Sequence, residues 1–145
     1  MKKLIKEHIS EHRATLDSIA DLDEPIEKVA DIFLSCLQRG GTIFWCGNGG
    51  SASDSQHLAG ELIGRYKGDR KPLKSIALNA DSAVMTCIVN DYGYEYIYSR
   101  QVEGLGVEGD ILVGITTSGN SENVLNALIT ANEMGLKTIG LLGKG

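Results

Sequence analysis

Two short polar stretches hold the residues whose types and spacing could do chemistry: Gly47-Asn48-Gly49-Gly50-Ser51 and Thr116-Thr117-Ser118-Gly119-Asn120-Ser121. Each follows an apolar run directly and precedes a helical pattern. In the first, Gly47, Gly49 and Gly50 let a ligand approach the backbone closely, while Asn48 and Ser51 add side-chain donors. In the second, Thr116, Thr117, Ser118 and Ser121 offer hydroxyls and Gly119 permits the turn. Amides at a helix start point outward with a favourable dipole, so both stretches suit an anion such as a phosphate. A tight turn with a good N-cap would account for either one alone. Both together call for a ligand, since a helix end contributes only ~0.3–1 kcal/mol whereas charge-assisted hydrogen bonds contribute about 1.5–3 kcal/mol each.

After the first stretch, His57, Glu61 and Arg65 recur four apart, which places them on one helical face. A His and a carboxylate at this spacing can ligate zinc, and a carboxylate shielded from water beside a sugar can serve as a general base. An arginine beside them could hold a phosphate or that carboxylate. A surface ladder of ion pairs is the plain alternative, and the neighbouring anion loop favours function over it. Zinc needs about three or four protein ligands, and no other histidine lies near this helix in sequence. His8 and His12 sit among charges, as on a solvated face. Gly47-x-Gly49-x-x-Ala52 also fits a dinucleotide fingerprint, with Asp69 further on. The acid that holds a ribose belongs at the end of the second strand, however, where this sequence has Asn79-Ala80 with Asp81 slightly late. A nicotinamide-dependent enzyme is therefore the minor reading, and a Walker P-loop is excluded because no Gly-Lys-Ser/Thr follows either loop.

The elements that must position these residues alternate. An amphipathic helix is expected from Leu4 to Ala20, with Ile5, Ile9, Leu16 and Ile19 on its apolar side and no partner within its own segment. A second helix starts at the N-cap Asp23 and Pro25, carries Ile26, Val29, Ala30, Phe33 and Leu37 on one face, and stops at Gly40-Gly41. Thr42 to Cys46 reads as a buried strand, with Ser51 capping a helix to about Gly64. A charged loop from Arg65 to Pro72 leads to a strand Ser75 to Leu78 and a helix Ser82 to Val89, broken at Asn90-Asp91-Tyr92-Gly93. Tyr94 to Leu105 is expected to be helical with Ile97, Val102 and Leu105 inward. Gly106 to Gly109 turns into a strand Ile111 to Ile115. A helix Ser121 to Met134, closed by Gly135, and a strand Thr138 to Leu142 follow. Strands apolar throughout and alternating with helices specify an α/β fold: a parallel sheet with helices on both faces, in one domain, residues 1–40 forming a helical segment and 41–145 the core.

Composition limits the partners. A 145-residue chain with 42% hydrophobic residues can build one core. A net charge of -5 repels nucleic acid and anionic membrane surfaces. Cys36, Cys46 and Cys87 are odd in number, lie in apolar runs and lack zinc-knuckle or redox spacing, so they read as reduced core thiols of a cytoplasmic protein. The charged N-terminus (Lys2, Lys3, Lys6, Glu7) has no apolar stretch for a signal peptide or a membrane span.

Cys46-Gly47-Asn48-Gly49-Gly50-Ser51, His57-x-x-x-Glu61-Leu62-x-Gly64-Arg65-Tyr66, Asn90-Asp91-Tyr92-Gly93 and Gly114-Ile115-Thr116-Thr117-Ser118-Gly119-Asn120-Ser121 together resemble the phosphoheptose isomerase family of the sugar isomerase (SIS) superfamily. The resemblance spans the whole chain. It implies a homotetramer with active sites at subunit interfaces, the first helix packing against other subunits. The reaction implied converts sedoheptulose 7-phosphate to D-glycero-D-manno-heptose 7-phosphate through a cis-enediol, for bacterial heptose and surface polysaccharide synthesis. By this similarity Ser51, Thr116, Thr117, Ser118 and Ser121 hold phosphate or sugar oxygens, and Asn48, Gly49, Gly50, Asn90, Asp91 and Arg65 complete the pocket. Glu61 becomes the acid/base and, with His57, part of a zinc site. A non-catalytic adaptor of the replication-initiator-associating type is the alternative within the superfamily; the presence of His57, Glu61 and Arg65 favours the enzyme. A sugar-phosphate-sensing regulator would come with a DNA-binding module, and none is visible. The resemblance further implies a later strand and a long helix supplying a catalytic histidine and a glutamine that complete the acid/base pair and the zinc site. The sequence stops at Gly143-Lys144-Gly145, so little or no turnover is expected of these 145 residues alone.

Overall fold

The computed structural model describes residues 1–143; Lys144 and Gly145, named above with the terminus, lie outside the described residues. The chain divides into two compact units, Met1–Ile32 and Phe33–Gly145. In the first, α1 (Lys2–Ser18) runs through a 3₁₀ turn (Ile19–Leu22) into α2 (Asp23–Gln38), which continues across the unit boundary. α1 buries none of its residues, and Leu4, Ile5, Ile9 and Leu16 are exposed. Asp23 is already helical instead of acting as the expected N-cap, because the 3₁₀ turn leads straight into the helix with no extended residue between.

The second unit is built on four parallel strands, β1 (Ile43–Gly47), β2 (Ser75–Ala77), β3 (Ile111–Thr116) and β4 (Lys137–Leu142), ordered β2-β1-β3-β4. α3 (Gly50–Ile63), α4 (Ser82–Asp91), α5 (Ser99–Leu105) and α6 (Glu122–Glu133) connect them. Side chains alternate between the faces of a strand, yet every residue of β1 and nearly every residue of β3 is buried, so both faces of the central pair are covered. On one face Phe44, Cys46 and Leu112 pack with Ile97, Tyr98, Val102, Val124, Ala127 and Ala131 from the α5 and α6 side. On the other, Trp45 meets the Phe33 ring edge-on at 5.8 Å and donates its indole N–H to Ser75 Oγ at 2.8 Å. Of the edge strands, β4 is largely exposed, whereas β2 exposes Ile76 between the buried Ser75 and Ala77.

The structure corrects three further sequence expectations. Ser51 is not the cap of α3; Gly49 is, and the helix begins at Gly50. Tyr94 to Leu105 is not one helix, because a 3₁₀ turn (Tyr94–Tyr96) and a break at Ile97 and Tyr98 precede α5. That break drives Ile97 and Tyr98 into the core, while Leu105, expected inward, is exposed. Finally, Cys87 lies exposed on α4, whereas Cys36 and Cys46 are core thiols.

Burial pushes the Cys46 thiol from 9.0 up to about 12, and burial, reinforced by Asp110 and opposed by Arg39, also raises Cys36. The folded chain thus keeps the Cys46 proton over a range in which the unfolded chain loses it. This stability is fully present below pH 9 and is lost as pH rises toward 12, by about 1.4 kcal/mol per pH unit. In urea titrations Cys46→Ala should show a shallower alkaline loss than the parent; parallel curves would refute the assignment. A thiol reagent should modify Cys87 in the native protein and Cys36 and Cys46 only after denaturation, as read by peptide mapping.

Candidate anion-binding site

β1 and β3 are sheet neighbours, with Gly47 opposite Ile115 and Cys46 opposite Gly114. From β1 the chain goes to β2 on one side, and from β3 it goes to β4 on the other, so the two polar loops diverge from adjacent strand ends. In parallel sheets this switch point opens a crevice for ligands. Gly47 makes the first loop possible by its size: a Cβ there would stand 2.7 Å from Ser51 Cβ and 2.9 Å from the Ile115 carbonyl oxygen. Gly49 makes it possible by conformation, with φ 57° and ψ -119°, which L side chains rarely adopt. The N–H groups of Ser51 and Ala52 turn back onto the carbonyls of Asn48 and Gly49. Those of Gly49 and Gly50 bond no group among the described residues, so they are the amides left for an anion.

In the second loop the hydroxyls converge. Thr116 Oγ1 lies 3.0 Å from Ser121 Oγ and 3.4 Å from Ser118 Oγ, and Ser118 Oγ accepts the Asn120 N–H at 3.2 Å. Ser121 precedes α6 without capping it through its side chain, which it turns to Thr116. Thr117 and Ser118 are exposed, whereas Thr116 and Ser51 are buried. Gly119, with φ 71°, makes the turn between them. Asn48 crosses to this side and exchanges two amide hydrogen bonds with Asn123, at 2.8 and 2.9 Å. Tyr94 and Tyr98 also reach Asn48. The sequence reading singled out none of these three partners.

His57 Nε2 and Glu61 Oε1 approach to 3.4 Å on α3. The expected shared face fails at Arg65: α3 ends at Ile63, Gly64 leaves helical geometry at φ -79° and ψ -113°, and Arg65 is an exposed residue beyond the helix. A different arginine does the end-capping, since Arg70 donates to the carbonyls of Glu61 at 2.7 Å and Leu62 at 2.8 Å. Cationic donors suit a helix C-terminus, and this one fixes the turn that carries Glu61. No group of three metal-ligating side chains forms among the described residues. His57 and Glu61 thus supply two donors, short of the about three that a protein zinc site needs. These two side chains do not make a zinc site by themselves.

Three cavities show what is brought together. Asn48, Ser121 and Asn123 share one of about 410 Å³ with Tyr94, Glu95 and Glu122. His57 and Glu61 share another of about 410 Å³ with Phe33, Trp45, Leu58, Leu62, Tyr66 and Arg70. His57 also borders a third, of about 360 Å³, with Asp54, Ile115 and Leu141. Asn90 and Asp91, bonded to each other at 2.7 Å on the exposed end of α4, line none of these three, nor does Arg65. The dinucleotide reading fails on geometry. Asn79, where the ribose acid belongs, spends its amide on the Ala52 carbonyl, and Asp81 caps α4 through the N–H groups of Ala83 and Val84.

Comparison with known proteins agrees with this architecture. Residues 7–143 match the model of the SIS domain. Phosphoheptose isomerase of Aliarcobacter butzleri is 50% identical over 141 residues, 97% of this chain and 75% of that one. The same-named protein of Helicobacter hepaticus is 50% identical over 144 residues, covering 99% and 74%. Among solved structures, a phosphoheptose isomerase from Neisseria gonorrhoeae superimposes with a TM-score of 0.90 at 41% identity, covering 99% of this chain and 77% of that one. With the SIS-domain match over residues 7–143 and half of its aligned residues identical to such proteins, the chain belongs to the phosphoheptose isomerases of the SIS-domain family.

Proposed function

We propose that this chain isomerises sedoheptulose 7-phosphate to D-glycero-D-manno-heptose 7-phosphate, an aldose–ketose conversion serving bacterial heptose and surface polysaccharide synthesis. The observation that carries the reading is the pair of anion loops at one switch point, in a chain 50% identical to phosphoheptose isomerases. Free amides of Gly49 and Gly50 with hydroxyls of Ser51, Thr116, Thr117, Ser118 and Ser121 bind the phosphate, a set of donors matched to its acceptor oxygens. Glu61, with His57 beside it, removes a proton from C1 of the ketose as the C2 oxygen gains one, giving the cis-enediol. The O1 proton then leaves as a proton is delivered to C2, and the aldose results. Asn90, Asp91 and Arg65 are assigned to the rest of the pocket.

The exposed apolar residues of Met1–Ile32 support self-association into a homotetramer, and loop residues and His57–Glu61 fronting separate cavities support a site completed between subunits. No described helix is long and apolar enough to cross a membrane, and the three free cysteines suit a cytoplasmic setting.

Two measurements test the reading. Light scattering should give four chains per particle, and Ile5→Glu with Ile9→Glu should reduce that number; a monomeric parent refutes the assembly. In a chain extended by the strand and helix implied by the resemblance, Glu61→Gln should lower kcat by about 10²–10⁴-fold while sugar phosphate still binds. Equal, near-zero rates with and without that extension would sink the isomerase and favour the adaptor, whose partners a pull-down would then reveal.

A further inference from the structure

We propose that Asn123 and Tyr94 are positioning residues that lock the Asn48 side chain so that it presents a single N–H, and no acceptor, to the ligand. The inference rests on the sugar-phosphate reading above and says how one wall of that site is set.

The hydrogen bonds fix every atom of the amide pair. The backbone N–H of Val124 can only donate; it is shared between the Ser121 carbonyl and Asn123 Oδ1, each at 3.0 Å, and an NH₂ in the latter place would set donor against donor, so that atom is the oxygen and its twin is the NH₂. That NH₂ donates to Asn48 at 2.9 Å, so the Asn48 atom facing it is Oδ1, and Asn48 Nδ2 returns a bond to Asn123 Oδ1 at 2.8 Å. Tyr94 donates its hydroxyl proton to the same Asn48 Oδ1 at 2.9 Å. Tyr98 has one proton, and the 2.5 Å bond to the Gly47 carbonyl takes it, leaving its oxygen 3.2 Å from Asn48 Oδ1. Both lone pairs of Oδ1 are therefore filled by Asn123 and Tyr94. One of the two Nδ2 protons is also committed, and one is left.

This arrangement is chemically selective. An Asn free to turn could offer either a donor or an acceptor; Asn48 offers a donor alone, which suits a phosphoryl or carbonyl oxygen and gives nothing to a sugar hydroxyl proton. Asn123 is 2% exposed, so its side of the lock sits in rigid, dry surroundings, whereas the Tyr94 side borders solvent. Burial, with Cys46 and Tyr94 adding to it and the Gly47 bond opposing, keeps the Tyr98 phenol protonated. Asn48 belongs to the loop after β1 and Asn123 to the first turn of α6, so the same pair sets the distance between the two loops.

Calorimetry on the full chain with inorganic phosphate and with sedoheptulose 7-phosphate tests this, with melting temperatures measured in parallel. Tyr94→Phe and Asn123→Ala should each weaken binding by about five-fold, the worth of one hydrogen bond. In an Asn48→Ala background the same changes should alter Kd by less than about two-fold, the coupling expected of residues acting through one side chain. Equal weakening in both backgrounds, or lower melting temperatures with unchanged Kd, would overturn the positioning role. Tyr94→Phe keeps an exposed ring in place and secures the test if Asn123→Ala fails to fold. A parent chain that binds neither compound would refute the sugar-phosphate reading itself, and the inference with it; a parent that binds while the variants behave additively removes the inference alone.

Discussion

β1 pairs with β3 along five residues, from Ile43 opposite Ile111 to Gly47 opposite Ile115, and everything at the carboxyl edge of the sheet follows from that register. A one-residue slip would exchange the faces of Phe44 and Cys46 with those of Ile43 and Trp45. It would also move Gly47 away from the gap between Ser51 and Ile115 that only a glycine fills. Because both faces of these strands are buried, apolar packing specifies the register strongly, and the loops inherit their placement from it. The polar crevice is thus positioned by a core in which apolar side chains predominate.

Polar satisfaction then decides what remains for a ligand. The crevice holds more donors and acceptors than a short turn needs, and many are already paired within the chain: Ser121 with Thr116, Asn48 with Asn123, Tyr98 with the Gly47 carbonyl. Such pairs carry little net stability, but each unpaired buried group would cost far more. The groups left over are amides at the start of α3 and hydroxyls at the mouth of the second loop, where solvent or an anion can meet them. A site preorganised in this way spends little on reordering when the ligand arrives.

Much of this was legible in the sequence. Continuous apolar runs ending in glycine or hydroxyl-rich loops could only be buried parallel strands, and β1, β3 and β4 fall within about a residue of their expected bounds. The two loops were legible for the same reason. Tyr94, Tyr98 and Asn123 were not, because their approaches to Asn48 span 46, 50 and 75 residues, and a periodicity argument sees Tyr98 only as another large side chain. Arg65 misled because four-residue spacing assumes that the helix continues, whereas Gly64 ends it. Arg70, outside any motif, returns to the helix end through a loop whose path no local pattern records.

The length of α3 gives the proposed reaction its logic. At 1.5 Å per residue, His57 lies about 10 Å and Glu61 about 16 Å along the axis from Gly50, so the anion amides and the carboxylate sit at different ends of one rigid element. For most small phosphate esters that separation would be a defect. For a heptulose carrying phosphate on C7 and reacting at C1 and C2 it is a requirement, because the charged group and the reacting carbons lie at opposite ends of the molecule. Binding at the remote phosphate can then be used to orient C1 without placing an anion beside the base, where it would oppose the enediol charge that forms in the transition state. In the proposed reaction, a helix with its amides free at one end and its carbonyls capped by Arg70 at the other would set a fixed distance between the two ends of such a substrate.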